Sequence, residues 1–291
     1  MTACLLDGTS AAAAWRAAIA ADARAVVDDL GYAPVLATVI APGDPSSAAY
    51  ARAISRACAR AGVGSRVVEL PNGGTDAELV ACLRELNADD HVHGIIVQLP
   101  LPPAYTAAAV GATLAPEKDV DGVTPLSAGL LALGRPTYVP ATPLGGMELL
   151  RHHGIGVRGM RATVVGRSAV IGRPLAMLLI AEGATVTVCH TATRDLGDAC
   201  RNAEILFVAA GRRGLVDATM VTPGAVVVDF GTTVDGEGRL HGDVHFPSVS
   251  QVASWISPVP GGTLPMTTVA LLRNTVESAR LAASARAISR T

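Results

Sequence analysis

The stretch from Ala162 to Pro174, ATVVGRSAVIGRP, constrains the fold more than any other part of the chain. Ala162 to Val165 reads as a short buried strand, Gly166-Arg167-Ser168 as a tight turn, and Gly172-Arg173-Pro174 as the opening of a helix through LAMLLIAEG. Unpaired backbone N–H groups and the helix dipole then point at one spot, which makes an anion site. Pro174 suits the first helical turn, where its missing N–H removes nothing. A dinucleotide pyrophosphate is the natural guest. The spacing departs from G-x-G-x-x-G, because Ser168 takes the second place and the last glycine falls one residue late. Taken alone, the stretch also reads as an ordinary βα turn with a structural glycine.

The next strand, Thr185 to Cys189, ends where an NAD site carries an acidic residue for the ribose 2′-hydroxyl. This chain has His190, Thr191, Thr193 and Arg194 there, with Arg167 already in the first turn. A missing acid and present arginines favour NADP over NAD.

With 291 residues, 50% of them hydrophobic and 16% charged, there is material for two compact domains. A net charge of -2 argues against nucleic acid as the main partner, and 3% aromatics leave few stacking platforms. Cys4, Cys58, Cys82, Cys189 and Cys200 are scattered without a CxxC pair, and read as reduced core residues of a cytoplasmic protein. No segment is long and apolar enough to span a bilayer, and no signal peptide is evident, so no membrane partner is expected. Lys118 is the only lysine.

Along the chain, Ser10 to Leu30 is predicted helical, Pro34 to Ile40 a strand, Ser47 to Ala61 a helix and Ser65 to Leu70 a strand. Thr75 to Asn87 follows as a helix and Gly94 to Leu99 as a strand, with shorter helices at Thr106 to Leu114 and Ser127 to Leu133. The alternation implies parallel βαβ units. Pro140 to Gly145 looks like a crossing between domains. Strands at Ile205 to Ala209 and Ala225 to Phe230 extend the nucleotide unit, and a last helix from Thr267 to about Ser284 packs back on the first domain. The expected fold class is α/β in two domains with a cleft between them. Residues 1–139 plus 266–291 form one, and 140–265 form a Rossmann-like NADP-binding domain.

The first domain carries the polar groups such a cleft would use. Tyr50 sits near a helix start, Gln98 at the end of a buried strand, and Asp119 and Asp121 in the loop Glu117-Lys118-Asp119-Val120-Asp121-Gly122. Ligands gather outside the carboxyl ends of strands in open α/β sheets. Singly, these residues read equally as a surface tyrosine, a strand-end amide and a solvated acidic turn. Two carboxylates without a nearby histidine or further ligands make a poor metal site, and none is expected.

The blocks Gly43-Asp44-Pro45-Ser46-Ser47 to Tyr50, Gly94-Ile95-Ile96-Val97-Gln98-Leu99-Pro100-Leu101-Pro102 and Lys118-Asp119-Val120-Asp121-Gly122 appear in order. Thr142-Pro143, Val165-Gly166-Arg167-Ser168 to Gly172-Arg173-Pro174, Gly242-Asp243-Val244 and Ser257-Pro258-Val259-Pro260-Gly261-Gly262 to Pro265-Met266-Thr267 follow. In this order and spacing the chain resembles the bifunctional methylenetetrahydrofolate dehydrogenase/cyclohydrolase family, the FolD type. The resemblance implies NADP-linked oxidation of 5,10-methylenetetrahydrofolate to the 5,10-methenyl compound, then hydrolysis to 10-formyltetrahydrofolate. Hydride would pass directly from folate to nicotinamide across the cleft. It also implies that Tyr50 packs on the folate, Gln98 belongs to the catalytic network and Asp121 holds the pterin. Gly166, Arg167 and Ser168 would hold the NADP phosphates, with Thr191 and Thr232 lining the cofactor. A homodimer is the family expectation.

Three departures stand out. Where the family has Y-x-x-x-K, this chain has Tyr50-Ala51-Arg52-Ala53-Ile54. Positions i and i+4 share a helix face, so Tyr50 and Ile54 look the same way, while Arg52 and Arg56 lie on other faces. Leu264 stands in a loop that is usually Gly-Gly-Val-Gly-Pro-Met-Thr and would take a positive φ only at a cost. Thr232-Thr233 replaces Ile-Asn. The favoured reading is an NADP-dependent dehydrogenase with the cyclohydrolase step weakened or lost. A fully bifunctional enzyme and a non-catalytic folate- or NADP-binding relative are the alternatives.

Overall fold

The computed structural model describes residues 2–43, 45–99 and 101–289. Asp44 and Pro100, quoted in the matching blocks above, lie outside the described residues. The chain divides into two compact units, Ala14–Ala141 with the residues from Thr268 onward, and the residues up to Ala13 with Thr142–Thr267.

The first unit is built on β2 (Val35–Ile40), α2 (Pro45–Ala61), β3 (Gly64–Glu69), α3 (Asp76–Ala88) and β4 (Gly94–Val97), after β1 (Cys4–Leu5) and α1 (Gly8–Leu30). Its sheet is parallel in the order β3-β2-β4. β4, at one edge, is buried along its whole length because both its faces are covered, whereas β3, at the other edge, alternates. Thr75 and Glu78 form a reciprocal capping box at the start of α3. Leu79, Leu83 and Leu86 of that helix pack with Val39, Ile95 and Val97 of the sheet.

Helices α4 (Ala107–Thr113), α5 (Pro125–Ala132) and α6 (Ala141–His152) lead to the second unit. There follow β5 (Arg161–Val165), α7 (Gly172–Ala181), β6 (Thr185–Cys189), α8 (Leu196–Arg201), β7 (Ile205–Val208), β8 (Val226–Asp229), β9 (Thr233–Val234) and β10 (Leu240–His241). Then come α9 (Phe246–Val249), β11 (Trp255–Ile256) and α10 (Thr263–Ser289). The main sheet is six-stranded and parallel in the order β1-β11-β8-β7-β5-β6. Leu206, Val208, Val227 and Ile256 lie at its centre. The C-terminal part of α10 belongs to the first unit. There Asn274 Nδ2 donates to the Val120 and Val139 carbonyls (2.8 and 2.9 Å), and Ser278 Oγ donates to the carbonyls of His93 and Glu117 (2.6 and 2.9 Å).

The expected boundaries need one correction. Residues up to Ala13 sit with the second unit, not the first, because Cys4 and Leu5 pair with Trp255 and Ile256 at the edge of its sheet. A two-residue strand has no periodicity to reveal it in the sequence. The crossings fall at Thr142 and Thr267, two residues beyond those expected. Leu264 lies in the first turn of α10, and among the described residues all those with positive φ are glycines, so the strain anticipated there does not arise. No helix among the described residues is long and apolar enough to cross a membrane.

Candidate active site

Both sheets reverse their strand order beside a central strand, and the candidate residues sit outside the carboxyl ends at those reversals. In the second unit the chain runs from β5 to β6 on one side and then returns to β7 on the other. Gly166 follows β5 with φ +127°, and a Cβ there would lie 2.1 Å from the Ala209 carbonyl oxygen. A Cβ on Gly172 would likewise lie 2.1 Å from the Gly166 carbonyl oxygen. Only glycine allows so close an approach of backbone to backbone. Ser168 Oγ accepts from the N–H groups of Ile171 and Gly172 (3.1 and 3.3 Å), so its side chain ties the turn to the start of α7.

Around this turn lies a cavity of about 580 Å³, lined by Gly166, Arg167, Ser168, His190, Thr191 and Arg212 among others. Of the residues expected to hold a cofactor, these include Gly166, Arg167, Ser168 and Thr191. Thr232 is not in the lining; it is exposed just before β9. Arg194, expected to favour a 2′-phosphate, is not in it either. Arg212 is the residue that sequence reasoning missed. Its signal is a Gly-Arg-Arg-Gly run, 211 to 214, just past β7, the strand next to β5 at the reversal. The loop is held from below by Asp243, fully buried, whose Oδ2 accepts from the N–H groups of Ala210 and Gly211 (2.6 and 2.8 Å). Asp229 in turn accepts from the N–H groups of Gly231, Asp243 and Val244, and burial pushes its pKa up to about 6. Glycines for a close backbone approach, a helix start and two arginines at one cavity fit a nucleotide phosphate.

In the first unit the reversal lies between β2 and β4. Tyr50 stands in α2, which follows β2, and Gln98 is the residue after β4. Gln98 donates its backbone N–H to the Val39 carbonyl (2.8 Å) and its Nε2 to the Leu99 carbonyl (3.1 Å). Asp121 Oδ1 accepts from the Ala141 N–H (3.1 Å). Burial, helped by the Asp119 charge and opposed by that hydrogen bond, raises the Asp121 pKa to about 6. Burial and then the charge of Asp121 push the Tyr50 phenol above its usual range, which brings those two residues into one electrostatic neighbourhood. No hydrogen bond links Gln98 to either among the described residues.

The loop around Asp121 is fixed by its neighbours. Lys118 Nζ donates to the carbonyls of Leu86, Asn87 and Asp89 (3.0, 2.8 and 2.7 Å), closing the carboxyl end of α3. Asp119 is fully buried and accepts from Val123 N–H, Thr124 N–H and Ser127 Oγ at the start of α5 (3.0, 2.9 and 2.6 Å). The two acids therefore differ: Asp119 builds the turn, whereas Asp121 accepts a single backbone N–H. Among the described residues no group of three or more His, Cys, Asp or Glu could hold a metal.

Position 54 is core. Ile54 is 1% exposed and shares the buried face of α2 with Ala51, Ala57, Cys58 and Ala61, while Arg52 and Arg56 are exposed. The single lysine, Lys118, is committed to the end of α3.

Residues 6–121 match the family model described as tetrahydrofolate dehydrogenase/cyclohydrolase, catalytic domain, and residues 140–283 match its NAD(P)-binding domain. A protein from Chloroflexus aurantiacus named bifunctional protein FolD is 48% identical over 280 residues, which span 96% of this chain and 98% of that one. The crystal structure of the bifunctional enzyme FolD from Campylobacter jejuni superposes with a TM-score of 0.93 at 40% identity, over 96% of this chain and 99% of that one. The FolD structure from Trypanosoma brucei, complexed with NADP cofactor and inhibitor, gives 0.92 at 37% identity, over 98% and 99%.

Proposed function

This chain belongs to the tetrahydrofolate dehydrogenase/cyclohydrolase family, and from that premise we propose that it oxidises 5,10-methylenetetrahydrofolate with NADP while its cyclohydrolase step is weakened or lost. NADP, when bound, supplies the hydride acceptor. Gly166 admits its phosphates close to backbone N–H groups, Ser168 holds the turn that presents those groups, and Arg167 with Arg212 neutralises phosphate charge. Thr191 lines the same cavity. The carboxylate of Asp121 accepts pterin N–H donors, Tyr50 offers an aromatic surface to the folate, and Gln98 supplies an amide at the strand end. Oxidation needs these groups chiefly for positioning.

Hydrolysis asks for more, because water must be activated and protons moved. A desolvated lysine with a lowered pKa does this well. Ile54 offers neither charge nor proton, and its burial is the observation that carries the proposal. The second reading, a fully bifunctional enzyme, draws support from the names of relatives such as that of Chloroflexus aurantiacus. In it Gln98, Asp121 and ordered water suffice.

The deciding experiment supplies methylenetetrahydrofolate and NADP and follows both products. The proposal expects NADPH to form while the methenyl compound accumulates, with its hydrolysis near the uncatalysed rate. Ile54→Lys should raise hydrolysis, in part only, because a pocket shaped around isoleucine desolvates an ammonium without pairing it. Robust hydrolysis by the unaltered protein would promote the second reading. NADP binding without either reaction would indicate a non-catalytic relative. The family expectation of a homodimer belongs to the same proposal and is checked by sedimentation.

A further inference from the structure

The second unit contains another cavity, of about 330 Å³, that shares no lining residue with the one around Gly166. One loop serves both. Arg212 lines the nucleotide cavity, whereas Arg213, the next residue of the same Gly-Arg-Arg-Gly run, lines this one. The loop is fixed at each end. Asp243 holds the N–H groups of Ala210 and Gly211, and Gly214 donates its N–H to the Gly242 carbonyl at 3.1 Å. The two adjacent arginines are thus presented to different cavities by one anchored turn.

Four side chains with polar heads line the cavity: Arg213, Asp229, His241 and His245. Arg213 is exposed, and among the described residues no ion pair or hydrogen bond occupies its guanidinium. His245 is also exposed; its Nδ1 lies 2.8 Å from Ser248 Oγ, which orients the ring and leaves Nε2 over. Asp217, whose charge His245 also meets, does not line the cavity and accepts from the N–H and Oγ1 of Thr219 (2.9 and 2.6 Å). His241, half-buried, holds Asp235 Oδ2 at 2.7 Å through Nε2, so that ring's charge is already balanced when protonated. Asp229 is the one acid in the lining. It is buried and accepts three backbone N–H groups. Arg213 therefore supplies the uncompensated charge, at the rim, with His245 as a second donor. The rest of the wall is largely apolar, from Val244, Phe246, Pro247 and Val259.

We propose that this cavity binds a small phosphate monoester, its phosphate on Arg213 and His245 and its carbon chain against Val244, Phe246, Pro247 and Val259. A guanidinium fork occupies two oxygens of such a group, and a phosphate has a third for the imidazole, which a carboxylate lacks. The carboxylate of Asp229 keeps the anion at the rim and leaves the interior to carbon. The volume lies at the lower end of the ~300–1,000 Å³ of ordinary small-molecule sites, and apolar walls with a few fixed polar groups are their usual pattern. The site rests on none of the roles proposed for the folate side.

The test uses butyl phosphate, with 1-butanol as its match without charge and inorganic phosphate as its match without carbon. Each is titrated by calorimetry into the full-length protein saturated with NADP, so that the nucleotide cavity is closed to the probes. Butyl phosphate should bind at least about tenfold tighter than either match, the scale of one charge-assisted hydrogen bond and of a few buried methylenes. Arg213→Gln, a change at an exposed residue, should weaken butyl phosphate about fivefold or more and leave 1-butanol unchanged. The ring C–H resonances of His245 and His241, assigned by substitution, should shift saturably with butyl phosphate, and that of His190 in the nucleotide cavity should not. Inorganic phosphate binding as tightly as butyl phosphate would overturn the apolar half of the site. Equal affinity for butyl phosphate and 1-butanol, unchanged affinity in Arg213→Gln, or still resonances at His241 and His245 would each overturn the proposal as a whole.

Discussion

The two units solve the same problem with different materials. Each is a parallel sheet with its candidate residues beyond the strand ends at a reversal of strand order. In the second unit the cradle is backbone: a Cβ at Gly166 or Gly172 would come within 2.1 Å of a main-chain carbonyl oxygen, and Ser168 and Asp243 hold N–H groups in place. In the first unit the candidate groups are side chains, Tyr50, Gln98 and Asp121, on an otherwise ordinary frame. The difference shows at position 54. On the proposed function, a side-chain site loses one chemical group without disturbing its helix, because isoleucine is a good core residue and position 54 is buried. A backbone cradle has no such freedom, since any side chain added to it meets a carbonyl.

The comparison breaks first, and hardest, at Gly166→Ala. The new Cβ meets the Ala209 carbonyl oxygen at 2.1 Å, in a backbone conformation that alanine avoids. Strain of at least about 3 kcal/mol is expected from the two effects together. NADP affinity should fall more than a hundredfold by titration calorimetry, and thermal stability should fall with it. A mild effect would mean that the turn adapts and that the cradle is no more rigid than the folate side. Asp121→Asn is the matching test there. It keeps the shape but places an amide donor where an acceptor is needed, at a cost of about 2 kcal/mol. Folate KM should rise roughly thirtyfold while NADP binding is unchanged. If folate kinetics do not move, Asp121 is a turn residue like Asp119.

The same contrast explains what the sequence revealed. The Gly166–Gly172 turn could be read because glycine spacing is itself the structure, and the fully buried strands β4, β7 and β8 could be read because parallel strands covered on both faces are continuous apolar runs. The capping box at Thr75 and Glu78 is equally local. What stayed hidden is set by distant partners. The β1 strand exists only because Trp255 and Ile256 lie beside it. The separate tasks of Lys118, Asp119 and Asp121 depend on which helix end each meets, and nothing in their adjacency announces it. Arg212 needed the sheet order, which puts its loop next to Gly166. Thr232, carried over by resemblance, lies outside the cavity lining for the same reason: its place depends on the loop around it.

Acid sharpens the comparison next. Asp121 ionises natively at about 6 against 3.8 for the ordinary carboxyl, and only its ionised form is a pure acceptor. Below pH 6, folate KM should therefore climb by up to about tenfold per pH unit, a limb that Asp121→Asn lacks. Stability should move the other way. Between 3.8 and about 6 the native protein binds more protons at Asp121 and Asp229 than the unfolded chain does. Their contribution thus falls as pH rises through that window and stays lost above it. Melting temperatures measured at pH 5.5 and 7.5 check the sign, and the Asp121→Asn difference gives that residue's share. Stability gained and folate binding lost over one interval would tie both to buried carboxylates.

The smallest effect tests how far the backbone description of the cradle extends. NADP differs from NAD by a 2′-phosphate, and recognising it requires cations that backbone alone does not supply. Arg167 and Arg212 line the cavity, and both are solvent-exposed, so each contact is screened and shared. Arg212→Ala should weaken NADP roughly fivefold and leave NAD nearly unchanged, with the loss shrinking as salt is added. Arg194→Ala should do little, since Arg194 lies outside the cavity lining although it follows the strand where nucleotide specificity is usually read. Dissociation constants for both cofactors in the two variants decide the point. A larger loss at Arg194 than at Arg212 would restore the reading made from chain order alone. The expected pattern instead assigns specificity to the loop beside Gly166, where the second unit, like the first, depends on individual side chains.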